Sequence, residues 1–166
     1  HRKQAAHSNH HLLDEMAKCE VQHSDTQTLS DVPLLLSLPG VGRVITAMML
    51  AEAAALLAQR DYYAIRAHAG IAPVTKQSGK SKQVGMRYRC NGRLRTAFYH
   101  WARISVQHDV RSKQQYARLR AAGHSHGRAL RSVADRLLAV LIAMLKSGQA
   151  YDPKRRLTKV AETSTA

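Results

Sequence analysis

A mainly α-helical fold is what this sequence predicts, and three observations predict it. Apolar residues recur at helical spacing through most of the chain. Glycine-bearing breaks separate those stretches, and only one short stretch alternates with a period of two. With 166 residues, 45% of them hydrophobic, the chain can bury a core without staples. The expected organisation is a helical segment over 1–28, a main domain over 29–152 and a loose basic tail over 153–166.

Residues 8–23 read as the first helix, with Leu12, Leu13, Met16 and Val21 in a thin apolar stripe. So narrow a stripe needs a partner, and the segment is expected to continue a longer helix or coiled coil from a preceding, missing region. The first residue is not Met, which fits a piece of a longer protein. His7, His10 and His11 have a spacing that puts two imidazoles on one helical face, but no third ligand and no HExxH pattern accompanies them. They read as solvated surface, and no metal is expected. Ser24, Asp25 and Thr26 break the pattern, and Ser30 or Asp31 supplies an N-cap for a short helix ending at Leu36.

In LLLSLPGVGRVITAMMLAEAAALL, residues 34–57, Pro39, Gly40 and Gly42 stand between two helical patterns. Glycines permit a tight hairpin and leave N–H groups uncovered at the start of the second helix, where amides and helix dipole suit a phosphate. This is a helix-hairpin-helix-like pattern, the kind that binds a nucleic-acid backbone without reading sequence. Gly40, Gly42 and Arg43 are its candidate contacts, and an ordinary helix–helix turn fits the same residues. Along the second helix, Val44, Ala47, Met48, Ala51, Ala54 and Ala55 form a predicted packing stripe of mostly small residues.

Gln59, Arg60 and Asp61 make a polar break before YYAIRAHAGI, a short helix with Tyr62, Ile65 and Ala69 inward, ended by Gly70 and Pro73. From Thr75 to Gly92 the sequence TKQSGKSKQVGMRYRCNG is polar, glycine-rich and basic, a poor core and a candidate site loop. Inside it Val84, Met86, Tyr88 and Cys90 alternate with Gly85, Arg87 and Arg89, which predicts a short half-buried strand showing arginines on its other face.

Three helices follow. The first, from Arg93 to about Gln107, buries Leu94, Ala97, Phe98, Trp101 and Ser105, while Arg95, Tyr99 and Arg103 fall on another side, in reach of a phosphate backbone. The second, Ser112 to Ala122, packs Tyr116 and Leu119. The third, Arg128 to Lys146, carries the clearest apolar stripe, including Leu130, Val133, Leu137 and Leu141, and ends at Gly148.

Charge narrows the function. Twenty-six Lys and Arg against 11 Asp and Glu leave +15, with an isoelectric point near 10.5. The excess is local, since residues 76–131 hold 14 Lys and Arg against one acid, Asp109. The partner expected is a polyanion, and nucleic acid rather than membrane, because no apolar run reaches about 18 residues. Lys76, Lys80, Lys82, Arg87, Arg89, Arg93, Arg95 and Arg103 are the candidate phosphate contacts. Of the aromatic residues interleaved with them, Tyr88 and Tyr99 are placed to stack, whereas Trp101 and Tyr116 lie on apolar faces and belong to the core. Cys19 and Cys90 stand far apart without CxxC spacing, and the first residues lack the apolar stretch of a signal peptide. A reducing cytoplasm is the expected compartment, in association with the nucleoid.

Together, LLSLPGVGRVITAMMLAE, then AIRAHAGIAPVTKQSGKSKQVGMRYRCNGRLRTAFYHWA, then the helix-rich basic end resemble the C-terminal transposase domain of the IS-one-ten and IS-eleven-eleven group of insertion-sequence transposases, over about residues 30–152. The linked order PGVG, AGIxPxxxxSG and NGxLR carries the resemblance. It implies a two-domain recombinase: a resolvase-like N-terminal domain supplies acidic ligands for Mg²⁺, and the C-terminal domain supplies a nucleophilic serine. It also implies a structured guide RNA that pairs with donor and target DNA, and assembly as a dimer or tetramer. By position the serine is Ser78, followed by Gly79, with Ser81 the nearby rival. The cations around it would stabilise charge on a phosphorane-like transition state.

The sequence departs from the family in one respect. Asp14, Glu15, Asp25 and Asp31 do not reconstruct the spaced carboxylates of the acidic domain, so the fragment holds no cofactor of its own and is expected not to transpose alone. Two other readings stand beside this one: a helix-hairpin-helix module that binds DNA backbone without chemistry, and a structural RNA-associated protein.

Overall fold

Helix α4 (Gly92–His108) is the spine of the fold, and its sequence explains why. Leu94, Ala97, Phe98, Trp101, Ala102 and Ser105 recur at three- and four-residue spacing, and all are buried. Each large apolar side chain so buried contributes about 1.5–3 kcal/mol. The computed structural model describes residues 30–78, 81–85 and 87–153. Before α4 come α1 (30–36), α2 (Arg43–Ala58), α3 (Tyr62–His68), and strands β1 (Val74–Ser78) and β2 (Ser81–Gly85); after it come α5 (Val110–Ala121) and α6 (His126–Ser147). Helices α2, α5 and α6 all pack on α4, α6 also holds α3 and α5, and the two strands pack mainly on each other. The domain is mainly α, as its periodicity predicts.

Short polar residues set the helix boundaries. Asp61 caps α3 by accepting from Ala64 N at 2.9 Å, and Asn91 caps α4 by accepting from Leu94 N at 2.9 Å. Asp109 ends α4 and starts α5, accepting from both Ser112 N and Ser112 Oγ. Each satisfies donors that the first turn of a helix leaves open. Helix α6 stops at Gly148, whose φ of +65° is the left-handed conformation of a helix terminator.

Polar ties fix how the helices dock. Asp31, 4% exposed, accepts from both terminal nitrogens of Arg60, so α1 is locked to the end of α2. Arg60 holds this reach in a left-handed backbone, φ +54°. Asp135 of α6 accepts from Tyr62 and, in a two-pronged contact, from Arg66, which anchors α3. Burial, then the hydrogen bond to Asp135, pushes the Tyr62 hydroxyl up to about 12.

Several sequence expectations are corrected. Asp31 lies inside α1 and spends its carboxylate on Arg60, so it is no N-cap. The predicted stripe on α2 is the wrong face: Val44 is 74% exposed and Ala47, Ala51 and Ala55 are exposed, while Ile45, Thr46, Met49, Ala53 and Leu57 are buried. That helix is apolar almost all round, so its own pattern selects no face. The predicted strand over Val84–Cys90 is instead a hairpin that ends at Gly85, because residues 87–91 are drawn back onto the end of α3. The N-terminal helix over 8–23, His7, His10 and His11, Cys19 and the tail from residue 154 lie outside the described residues. Among the described residues no helix is long and apolar enough to cross a membrane.

Candidate nucleic-acid interface

The PGVG turn is held by the spine. The Pro39 carbonyl accepts from Trp101 Nε1 at 2.9 Å and from Ser105 Oγ at 2.8 Å. Gly40 follows at φ +79°, and a Cβ there would meet Ser105 Oγ at 2.7 Å and Ser105 N at 2.9 Å. Positive φ and close approach together require glycine at that position, for packing. Gly42 is different: a Cβ there meets nothing within 4 Å. It is the N-cap of α2 and makes no side-chain cap hydrogen bond, and Arg43 beside it is exposed. The turn thus presents the first amides of a 16-residue helix and one guanidinium on a rigid base.

The basic segment is organised by its two ends. Asn91 N donates to the His68 carbonyl at 2.8 Å, and Cys90 packs into the space where Gly70 would carry a Cβ, Sγ being 2.7 Å away. From this closed base β1 and β2 run antiparallel, with Val74 opposite Gly85 and Ser78 opposite Ser81. Ser78 and its rival Ser81 therefore form the last pair of the ladder, farthest from the base. The side chains of Lys76, Ser78, Ser81 and Lys82, and the whole of Gly79 and Lys80, lie outside the described residues.

Two residues that sequence reading missed secure the base. Glu52 of α2 accepts from Asn91 Nδ2 at 2.7 Å and from Arg93 Nη1 at 3.3 Å. The hydrogen bond from Asn91, then that from Arg93, holds the Glu52 carboxyl below its usual range. Asn91 thus caps α4, grips α3 and binds α2 at once. Its position just ahead of an apolar helical run was the readable signal; nothing local marked Glu52.

The remaining candidate cations lie on α4 and on the segment leading into it. Arg89 and Arg103 are exposed, Arg93 is exposed apart from its contact with Glu52, and Arg95 is half-buried. Tyr99, 41% exposed, sits between Arg95 and Arg103 on the outer face of α4, as the spacing predicts. Arg87 is half-buried, and its enclosed Nε finds no hydrogen-bond partner. Among the described residues, Arg43, Arg87, Arg89, Arg95 and Arg103 make no ion pair with a carboxylate, so their charge is available to a polyanion. No group of three His, Cys, Asp or Glu side chains among those residues is placed to hold a metal ion.

Comparison with known proteins gives a consistent picture. A family model described as "Transposase IS116/IS110/IS902 family" matches residues 32–117. The mini-circle transposase candidate of IS117 from Streptomyces coelicolor is 32% identical over 136 residues, covering 81% of this chain and 33% of that protein. The insertion element IS116 protein of Streptomyces clavuligerus is 34% identical over 129 residues, covering 77% of this chain and 32% of its own length. The insertion element IS900 protein of Mycobacterium paratuberculosis is 36% identical over 154 residues, covering 86% and 38%. The chain spans about a third of the length of the curated relatives it matches.

Proposed function

Because this chain belongs to the IS116/IS110/IS902 transposase family, we propose that it is the C-terminal, DNA-binding and serine-carrying part of an insertion-sequence transposase, built on residues 29–152. The observation that carries this reading is the register of the hairpin, which pairs Ser78 with Ser81 at the end away from the clamped base. A nucleophile that must meet an extended polyanion needs such a position, and the cations of α4 and the PGVG turn supply the attraction.

The chemistry follows from a hydroxyl facing a phosphodiester. Ser78 Oγ gives up its proton and attacks phosphorus; the new P–O bond forms as the bond to one deoxyribose oxygen breaks, and that oxygen takes a proton. The phosphoseryl ester conserves the bond energy until a hydroxyl from a second DNA end reverses the step. Lys76, Lys80, Lys82, Arg87 and Arg89 would stabilise charge on the transition state. The acidic domain of the intact protein would hold Mg²⁺, which would draw charge from the phosphate that Ser78 attacks. The turn at Gly40, Gly42 and Arg43 acts in the helix-hairpin-helix manner, with Gly42 and Arg43 offered to phosphate and Gly40 packing the turn. A guide RNA, a dimeric or tetrameric assembly and a nucleoid-associated cytoplasmic location complete the proposal, and the fragment alone does not transpose.

Ser78→Ala in the intact protein is the test. It should abolish strand exchange and the covalent protein–DNA adduct formed on a suicide substrate, while leaving DNA affinity nearly unchanged. An adduct that survives in Ser78→Ala but disappears in Ser81→Ala would move the role to the neighbour. Normal exchange in both would leave a binding module without chemistry.

A further inference from the structure

A cavity of about 360 Å³ opens where the end of α3, the outer face of α4 and the start of α6 meet. Its size falls within the roughly 300–1,000 Å³ usual for small-molecule sites. Phe98, Leu130 and Ala134 form its floor, and Arg95, Tyr99 and Arg131 stand among its lining residues. Tyr99 is braced edge-on by His100, with ring centroids 5.5 Å apart. Among the described residues neither Arg95 nor Arg131 makes an ion pair with a carboxylate. Gly127, the second residue of α6, also lines the cavity, and a Cβ there would meet nothing within 4 Å.

Those features call for two kinds of chemistry in one ligand. An apolar floor beside an accessible phenol ring suits a flat, weakly polar ring system, and two unneutralised guanidiniums suit an anion attached to it. A nucleotide unit has both parts, joined through one sugar. A double helix does not offer its base faces, so the unit must be unpaired. We infer that this cavity receives a single unpaired nucleotide of a bound nucleic acid, its base on the apolar floor against Tyr99 and its phosphate held by Arg95 and Arg131. The inference rests on the nucleic-acid-binding reading above and is separate from the role of Ser78.

The source is either DNA or RNA, and the probes distinguish them. Hairpin duplexes with one bulged adenosine, made in DNA and in RNA, are compared with fully paired duplexes of equal length, using the full chain at fixed salt. The bulged form should bind about tenfold more tightly than its paired counterpart, and the backbone for which this holds names the source. Tyr99→Ala and Gly127→Leu, the latter filling the cavity, should erase that difference, and Gly127→Leu should leave paired-duplex affinity unchanged. Arg103→Gln, on α4 outside the cavity lining, should weaken both forms equally. Circular dichroism confirms that each variant is folded, and if Gly127→Leu fails to fold, Tyr99→Ala carries the comparison. Equal binding of bulged and paired forms by the wild-type chain overturns the inference alone; absence of binding to any of the four probes overturns the parent reading with it.

Discussion

The indole N–H of Trp101 donates to the Pro39 carbonyl at 2.9 Å, which joins the middle of α4 to a turn 62 residues earlier in the chain. Ser105 Oγ donates to the same oxygen one turn further along α4. The carbonyl is thereby doubly satisfied where it is partly buried, and the glycine after it is pressed against the helix. This one relationship decides the different roles of the two glycines in PGVG.

Gly40→Ala should destabilise the domain by about 3 kcal/mol, since it adds left-handed strain to a contact at 2.7 Å. Gly42→Ala, at φ −103° with open space around it, should change stability by no more than about 0.5 kcal/mol. Urea denaturation measures both. Gly42→Ala should nonetheless weaken duplex binding, because it adds bulk beside the Arg43 amide at the start of α2; unchanged affinity would take phosphate recognition away from the turn.

The Asp31–Arg60 pair should behave as a coupled unit. Arg60→Ala leaves a carboxylate buried without its partner and should cost about 3–5 kcal/mol. Asp31→Asn in the Arg60→Ala background should restore part of that loss by removing the stranded charge. A double-mutant cycle by chemical denaturation checks the sign, and strictly additive costs would contradict the docking role of this pair.

Acid should loosen the clamp at Glu52. Its carboxyl titrates lower in the folded chain than its ordinary value of 4.5, first through Asn91 and then through Arg93. A depressed folded value means that the stabilisation is complete above about pH 4.5 and is lost as pH falls below it. Glu52→Gln should therefore flatten the dependence of the thermal midpoint on pH in that acid range. A slope identical to that of the wild type would show that the clamp contributes nothing through charge.

Salt should report the number of phosphate contacts. Replacing Arg43 or Arg103 by Gln should weaken duplex binding without regard to sequence and lower the slope of log affinity against log salt by about 1 in each case. Fluorescence anisotropy across a salt series gives the slope, and an unaltered slope would exclude that residue from the interface.

What the sequence determined by itself was whatever depends on neighbours along one helix. The buried face of α4, the inward residues of α3, the long stripe of α6 and the stop at Gly148 all follow from spacing and one glycine, and the structure has them. The local excess of charge and the linked PGVG, SG and NGxLR segments likewise need no third dimension to be read. Tertiary structure decided the rest. Which face of α2 turns inward could not be read from a helix apolar on nearly every side; the turn pinned by Trp101 and Ser105 selects it. The hairpin also needed partners outside its own alternation, because Gly70 and His68 pull Cys90 and Asn91 away from the strand that their pattern suggested. Asp31 read as a helix cap and nothing in the sequence singled out Glu52 or Asp135, yet each is a tie between helices because long-range packing sets an arginine or an asparagine beside it. Periodicity records only what lies within a few residues, whereas a buried polar pair is chosen by which elements meet.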